Sequence, residues 1–415
     1  MSHLDRRQFL GGAAAAVAGS AFAQLPGEPK LAPIRLPARA VTRGPKHHWF
    51  GYYDKCPWDK SGRYLLAMEN DYCDHQPKAA DAITLGFVDL QKKDEYTPFT
   101  KTTAWSWQQG TMLQWLGAGE SEVVFNSLDG KEPVAVVQNP FTGKTRTLPM
   151  PVYALSGDGK QAVTLDFARL HRLRPGYGYA SYAEPHADEL APDKLGIWHF
   201  TLESPKPKRV VTLKQLAEHK PDARFRGAMH WVNHLQFNPG GSRFVFLHRW
   251  RIGGKPWSTR LFTVKPDGSD LRLHLDTGMV SHFDWRDDRT ILAWVKTPKA
   301  GNAFALIDVA TDKLDTIGTA VLTKDGHCSY SPDRKWILND TYPDKDRLQW
   351  LMLFDPKTGR RYDLNQFHSP KTFTGPTRCD LHPRWSRDGK QVCFDGCHDP
   401  QRQVYVVDVS DIVGG

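Results

Sequence analysis

Gly326-His327-Cys328-Ser329-Tyr330-Ser331-Pro332-Asp333 returns, loosened, as Leu381-His382-Pro383-Arg384-Trp385-Ser386-Arg387-Asp388-Gly389. Each stretch runs as a histidine, two residues, an aromatic, a polar residue and a Pro/Asp/Gly turn. Each then leads into an apolar strand, Trp336-Ile337-Leu338 in one and Gln391-Val392-Cys393-Phe394 in the other. Upstream the same phrase reads Asn233-His234-Leu235-Gln236-Phe237-Asn238-Pro239-Gly240-Gly241 before Arg243-Phe244-Val245-Phe246-Leu247. It reads again in Ser281-His282-Phe283-Asp284-Trp285-Arg286-Asp287-Asp288 before Thr290-Ile291-Leu292-Ala293-Trp294. Four units therefore carry a histidine at one repeat position, and the chemistry is expected there.

The phrase continues without its histidine into the N-terminal half. Asp54-Lys55-Cys56-Pro57-Trp58-Asp59-Lys60-Ser61-Gly62 is one copy, Met112-Leu113-Gln114-Trp115 a second, and Val152-Tyr153-Ala154-Leu155-Ser156-Gly157-Asp158-Gly159 a third. Seven copies result, with one long gap between the third and the fourth. Short alternating strands joined by Asp-Gly or Pro-Gly turns, repeating every roughly 40–50 residues, predict the blades of a β-propeller. The fold class expected is all-β, a seven-bladed β-propeller over residues 46–415. One blade cannot bury both its faces, so blades stack around an axis and aromatics such as Phe125, Trp285, Tyr330 and Trp385 fill the contacts. On that geometry His234, His282, His327 and His382 converge near one mouth of the central channel.

The segment before the repeats carries a different signal. Ser2-His3-Leu4-Asp5-Arg6-Arg7-Gln8-Phe9-Leu10, an Ala-rich run and Ala21-Phe22-Ala23 form a twin-arginine export pattern over residues 1–23, which predicts a periplasmic or secreted protein. Residues 24–45 are a Pro-rich lead-in. No later apolar run approaches membrane-spanning length. The formal charge is +9, which suits an anionic partner, and export disfavours nucleic acid. A monomer is expected. The six cysteines lack Cys-x-x-Cys spacing; Cys393 and Cys397 flank a turn and are expected to pack rather than bridge, and Cys328 is a candidate soft metal ligand.

Several residue groups compete for a chemical role. Neutral imidazoles converging from adjacent blades suit a divalent metal, zinc first with manganese or calcium as alternatives, or a substrate anion, with two or three of the four blade histidines serving it. Capping of backbone carbonyls is the structural alternative for each ring. Phe167-Ala168-Arg169-Leu170-His171-Arg172-Leu173-Arg174-Pro175-Gly176-Tyr177-Gly178-Tyr179, in the long gap, reads as a Gly/Pro-bounded loop at the mouth. Its arginines match a carboxylate or sulfate, and His171, Tyr177 or Tyr179 can move a proton. Arg249 follows His234 across one hairpin and is a candidate carboxylate clamp. His48 and Tyr53, at the first blade's start, are candidate substrate contacts, as are Arg169 and Arg174. No Gly-x-Ser-x-Gly elbow, phosphate loop, dinucleotide fingerprint or His-Glu-x-x-His is present.

The blade histidines, the Arg-Leu-His-Arg-Leu-Arg-Pro-Gly-Tyr-Gly-Tyr segment, Asn-His-Leu-Gln-Phe-Asn-Pro with Leu-His-Arg-Trp, and Asp-Leu-His-Pro-Arg-Trp-Ser-Arg-Asp-Gly resemble the seven-bladed propeller polysaccharide lyases. These are the ulvan lyases and, more distantly, the oligogalacturonate lyases. The resemblance implies β-elimination: a base takes the C5 proton of a uronic acid, a cation neutralises its carboxylate, and an acid protonates the departing O4. The ulvan-lyase order of histidine, tyrosine and arginine falls on His171, position 234 and Arg249, at spacings of 63 and 15. His234 stands where that pattern has a tyrosine, which leaves Tyr177 or Tyr179 to supply the acid. The oligogalacturonate-lyase pattern places a metal on the later blades, and by that resemblance it falls on His282, His327 and His382. The function expected is a lyase acting on an acidic, uronate-containing poly- or oligosaccharide; a non-catalytic propeller binding an anionic glycan or a protein, and a metal-dependent hydrolase, are the alternatives.

Overall fold

The computed structural model describes residues 34–117 and 121–414. Residues 1–23, read above as an export leader, and the first part of the lead-in segment lie outside the described residues. Among those described, the strands form seven four-stranded antiparallel sheets, each built in chain order from the channel outwards. Blade one begins at His47–Trp49, blade two at Gln114–Trp115, blade three at Ala154–Leu155 and blade four at Met229–Phe237. Blades five, six and seven begin at Val280–Trp285, Ser329–Tyr330 and Arg384–Trp385. The topology makes this a seven-bladed β-propeller.

The last blade is completed from the other end of the chain. Arg39–Ala40 adds the outermost strand to Arg384–Trp385, Gln391–Gly396 and Gln403–Asp408, in the register Arg39 opposite Val406 and Ala40 opposite Tyr405. Non-local pairing of this kind closes the ring and leaves no blade without its neighbour. Val41, Trp58, Leu65, Cys393 and Val404 are buried together where blades one and seven meet.

The recurring aromatic explains how one blade grips the next. Trp115 donates its indole N–H to the Pro57 carbonyl at 2.9 Å, Trp285 to Gln236 at 3.2 Å and Trp385 to Ser329 at 3.5 Å. Each bond runs from an inner strand to the preceding blade, so the ring is buried and its polar atom is satisfied at once. The recurring Ser-x-Asp has a similar local cause. In Ser156, Ser331 and Ser386 the hydroxyl donates to the Asp two residues on and accepts the N–H that starts the next strand. These are side-chain-built turns of the kind that polar residues favour.

Antiparallel order decides what lies at each end of the channel. The link from a blade's second to third strand and the link from its fourth strand to the next blade emerge at the same mouth. The segments 71–82, 165–195, 252–257, 341–347, 369–383 and 397–402 therefore share it. Within 165–195, Phe167–Leu173 is an α-helix, here α1, rather than the loop read from the sequence. Asp166 caps it by accepting from the Arg169 N–H at 2.6 Å, and Phe167, Leu170 and Leu173 bury one face. No helix among the described residues is long and apolar enough to cross a membrane.

Trp58 is 1% exposed between the first and last blades. Trp58→Ala is expected to lower stability by about 3–5 kcal/mol, the usual cost of deleting a buried aromatic. A urea titration would read it, and an unchanged midpoint would mean that the first and last blades do not rely on this contact.

Candidate functional site

The histidine position owes its direction to the backbone. In blade four Asn233 pairs with Leu247 and Gln236 with Val245, and in blade five Val280 pairs with Val295 and Phe283 with Ala293. Each inner strand thus carries one residue more than its partner, a β-bulge that turns His234 or His282 into the channel. His234 and His382 have φ of +54° and +42°, a left-handed backbone uncommon outside glycine and concentrated at functional sites. In blade six Gly326, just before His327, lets the backbone pass close to Asp340, because a Cβ there would lie 1.9 Å from the Asp340 carbonyl oxygen.

The rings do meet. His327 lies 4.2 Å from His282 and 4.3 Å from His382 between centroids, and His234 lies 6.4 Å from His282. Tyr52 fills the middle, stacked on His234 at 5.1 Å and edge-on to His382 at 4.9 Å. The four histidines are each buried.

Within this layer, nitrogen and oxygen atoms of His327, His382 and Asp380 all fall within 4.8 Å of one another. His327 Nε2, His382 Nε2 and Asp380 Oδ1 are buried and have no hydrogen-bond partner. Orphaned lone pairs converging this closely fit a bound cation, since unpaired buried polar atoms are otherwise costly. The His327 Nδ1 lies 2.9 Å from Asp340 Oδ1, which orients the ring and leaves Nε2 facing the group. Burial disfavours a charged His327, yet Asp340 outweighs it and raises the imidazole above its ordinary value. Burial and the neighbouring His327 push His382 well below. The site holds two carboxylates, Asp340 and Asp380, and favours positive charge.

His282 was expected among the metal ligands, but both its nitrogens are engaged. Nδ1 faces Asp325 and Ser281 at 3.0 Å, and Nε2 faces the Tyr342 hydroxyl at 3.4 Å. Asp380 takes its place in the cluster. Cys328, also raised as a ligand, is fully buried with Tyr330 and Leu292 in an apolar cluster, its thiol pushed up by burial.

A second group sits beside the first. Arg249 is 4% exposed, and its Nε and Nη1 are buried without a partner. Its neighbours are Arg174, Tyr52, Tyr177 and Tyr153, and burial together with Arg174 pushes its pKa down to about 10. Among the described residues no carboxylate pairs with it. An unpaired buried guanidinium is an anion site in waiting, because isolated buried charge is strongly unfavourable. The Trp257 ring lies over both cations, 4.3 Å from Arg174 and 5.7 Å from Arg249, while remaining 37% exposed.

Tyr177 stands between the groups, its ring edge-on to His234 at 5.9 Å. Its hydroxyl accepts from Arg378 Nη2 at 2.7 Å and from Arg174 at 3.4 Å. Burial pushes the phenol up, but the two guanidiniums overcome it and bring the pKa down to about 8. Arg378 is in turn fixed by Asp380 at 2.6 Å and by the Gln108 side chain, which donates to the Arg378 carbonyl at 3.0 Å. Arg378, Asp380 and Trp257 were missed in the sequence. Trp257 follows a Gly-Gly turn and Asp380 precedes a recognised histidine by two, but neither lies at the repeated position.

Other expected contacts are corrected. Tyr179 stacks on Phe167 at 4.3 Å and accepts from Asn126, so it is core. Arg169 is buried against Glu184 and four backbone carbonyls, and has no capacity left for a substrate. His48 lies between blades one and seven with Glu69 and Gln403. Tyr53 bonds both the N–H and the carbonyl of Phe283 and supports the channel wall. His171 sits on α1 and, among the described residues, no hydrogen bond, ion pair or ring contact joins it to the histidine layer. A cavity of about 330 Å³ lies at the opposite mouth around Asp54, Lys55, Gln236 and Arg334.

Fold and site together define a β-propeller with a polar, cation-rich channel. Two solved structures share this fold over nearly their whole length. The oligogalacturonate lyase from Vibrio parahaemolyticus is 12% identical with a TM-score of 0.63, covering 90% of this chain and 94% of its own. An oligogalacturonate lyase in complex with manganese is 14% identical with a TM-score of 0.64, covering 92% and 98%. A prolyl endopeptidase matches at 12% identity and a TM-score of 0.51, with 88% of this chain aligned to 48% of that one. No protein-family model and no curated protein sequence matches the chain.

The Tyr177 environment is directly measurable. An ultraviolet difference titration is expected to show one phenol ionising near pH 8, absent in Tyr177→Phe. A titration with no phenol ionising below about pH 10, the ordinary value, would contradict the contact with Arg378 and Arg174.

Proposed function

We propose that the protein is a lyase that cleaves a uronate-containing poly- or oligosaccharide by β-elimination, working at the mouth that holds Arg249. The observation that carries this reading is the buried guanidinium with two unpartnered nitrogens beside a phenol brought down to about 8. A carboxylate would satisfy Arg249 bidentately and bring the adjacent sugar carbon into the pocket. The two oligogalacturonate lyases of the same architecture support the choice of a uronate.

The chemistry divides among residues of this chain. The proton α to a carboxylate is weakly acidic, and its removal loads negative charge onto that carboxylate. Arg249, with Arg174 beside it, stabilises that charge in a site with little water, where such stabilisation is largest. His234 is held neutral, since burial and the nearby Arg249 push its pKa well down. It therefore carries an unprotonated ring nitrogen to accept the C5 proton, with Nε2 3.5 Å from the Tyr52 hydroxyl. The electron pair of that C–H bond becomes the C4–C5 double bond as the C4–O4 bond breaks. Tyr177 gives its proton to the departing O4, and the resulting phenolate is stabilised by Arg378 and Arg174. Trp257 offers an exposed ring face to the apolar side of a sugar.

His327, His382 and Asp380 would hold a divalent ion, and one of the neighbouring lyases is described in complex with manganese. When bound, such an ion supplies further positive charge beside the substrate carboxylate. Export of the protein, read from residues 1–23, would place it where extracellular polysaccharide is encountered.

The test is an ultraviolet assay of the purified protein against a panel of polyuronates and their oligomers, reading the conjugated double bond that elimination alone creates. Arg249→Ala is expected to lower the rate by about 10²–10³-fold, the usual cost of removing one charge-stabilising donor set. A flat panel with folded, manganese-supplied protein would overturn the reading. Asp340→Asn is expected to weaken manganese binding by about 10–100-fold through loss of the His327 orientation, measured by calorimetry without substrate. Unchanged affinity would remove His327 from the metal group.

A further inference from the structure

The cysteines group in a way that the sequence does not suggest. Cys393 and Cys397, the pair flanking one turn, face different clusters. Cys393 packs with Trp58 and Val404, with Cys56 beside them. Cys397 instead packs with Cys379 and Phe373 in a small buried cluster, and the partly exposed Cys73 lies against it. The three sulfurs come from three separate segments, 71–82, 369–383 and 397–402, all at the mouth that carries the candidate site. Cys379 and Cys397 are each 2% exposed.

Their surroundings suit thiol chemistry rather than inert packing. Ser369 Oγ lies 3.8 Å from the Cys397 sulfur. Arg402 is close to all three cysteines, held by the Thr377 and Arg378 carbonyls at 2.9 and 2.8 Å. The adjoining Cys379 thiol and the nearby arginines bring Cys397 below its ordinary value, although burial opposes this, while burial pushes Cys73 and Cys379 up. Of the three, Cys397 is therefore the most readily ionised, the condition for attack on a disulfide. Cys73 is the accessible member of the three.

We propose that Cys73, Cys397 and Cys379 form a thiol–disulfide exchange relay whose end product is a buried Cys379–Cys397 disulfide. The oxidant is a small disulfide or the disulfide of a dithiol protein. Cys73 attacks it and forms a mixed disulfide, releasing the first thiol. Cys397 then attacks the Cys73 sulfur and releases the second thiol, which leaves a Cys73–Cys397 bridge. Cys379 finally attacks Cys397, and Cys73 returns to the free thiol. Two protein thiols are oxidised to one disulfide and one small disulfide is reduced to two thiols, each departing thiolate taking the proton of an attacking one. The product bridge fastens the segment bearing Arg378, Asp380 and His382 to the 397–402 turn.

The relay does not depend on the proposed lyase activity, and its test needs no substrate. The folded full-length protein is incubated with oxidised glutathione, then unfolded, alkylated and weighed intact, with peptide mapping of the bridge. Two of the six thiols are expected to resist alkylation, with no glutathione retained and the bridge mapped to Cys379–Cys397. Cys73→Ser is expected to slow bridge formation by about tenfold or more without changing the product, as fits loss of the accessible thiol. Cys379→Ser is expected to stop at a Cys73–Cys397 bridge. Six alkylatable thiols in the wild type after long incubation, glutathione retained on Cys73 alone, or a bridge between Cys56 and Cys393 would each overturn the proposal. The wild-type measurement decides even if a variant fails to fold.

Discussion

The inner strands of seven blades descend one narrow channel side by side, so side chains carried at the same height are forced into contact. That constraint makes the site. A histidine on a solitary strand would find a backbone carbonyl or water, but here the nearest available neighbours are the next blade's histidine and the Tyr52 ring. The bulges in blades four and five supply the direction, and the ring supplies the crowding. Everything else at this mouth, including the carboxylates of Asp340 and Asp380 and the guanidiniums of Arg249 and Arg378, is arranged around the resulting polar layer. Within the layer, ligand atoms of His327, His382 and Asp380 converge to within 4.8 Å of one another, while His282 is held by Asp325 and Ser281.

What the sequence disclosed follows from the same periodicity. A residue type repeated at one blade position is visible in a single chain, because the ring makes equivalent positions neighbours. His234, His282, His327 and His382 were legible for that reason, as were the turns at Ser331 and Ser386. Asp380, Arg378 and Trp257 belong to connections that differ from blade to blade, and no period exposes them. The helix α1 was hidden by its arginines and by Pro175, Gly176 and Gly178 just after it, which read as loop. In the fold Asp166 caps its start, and the Gly176–Gly178 turn folds back on it, with Gly178 in contact with His171 where a Cβ would not fit. Arg169 and Tyr179 misled for a related reason. A cationic or phenolic residue looks chemical in a sequence until its partners are known, and theirs are Glu184 with backbone carbonyls and Asn126.

The charges at this mouth fall into two kinds. Arg384 pairs with Asp395 and the Gly51 and Tyr52 carbonyls, and Arg402 with carbonyls of 377 and 378, so both act as internal struts. Arg249 has no such arrangement. Buried guanidiniums are usually paired, because desolvation is costly otherwise. The contrast separates cations that hold the fold from one that awaits an anion, a distinction the net charge of the chain does not make.

The histidines are confined to blades four to seven, and this has a consequence for any ligand that enters the channel. A ring with seven identical blades would admit a ligand in seven equivalent poses, differing only by rotation about the axis. Here one arc of the channel wall is imidazole and carboxylate, while the arc of the earlier blades offers amide and phenol from Gln109 and Tyr153. The rotational degeneracy is broken before a ligand arrives. A molecule with two chemically distinct ends meets a different wall according to which end leads, so a channel built by repetition can still read polarity.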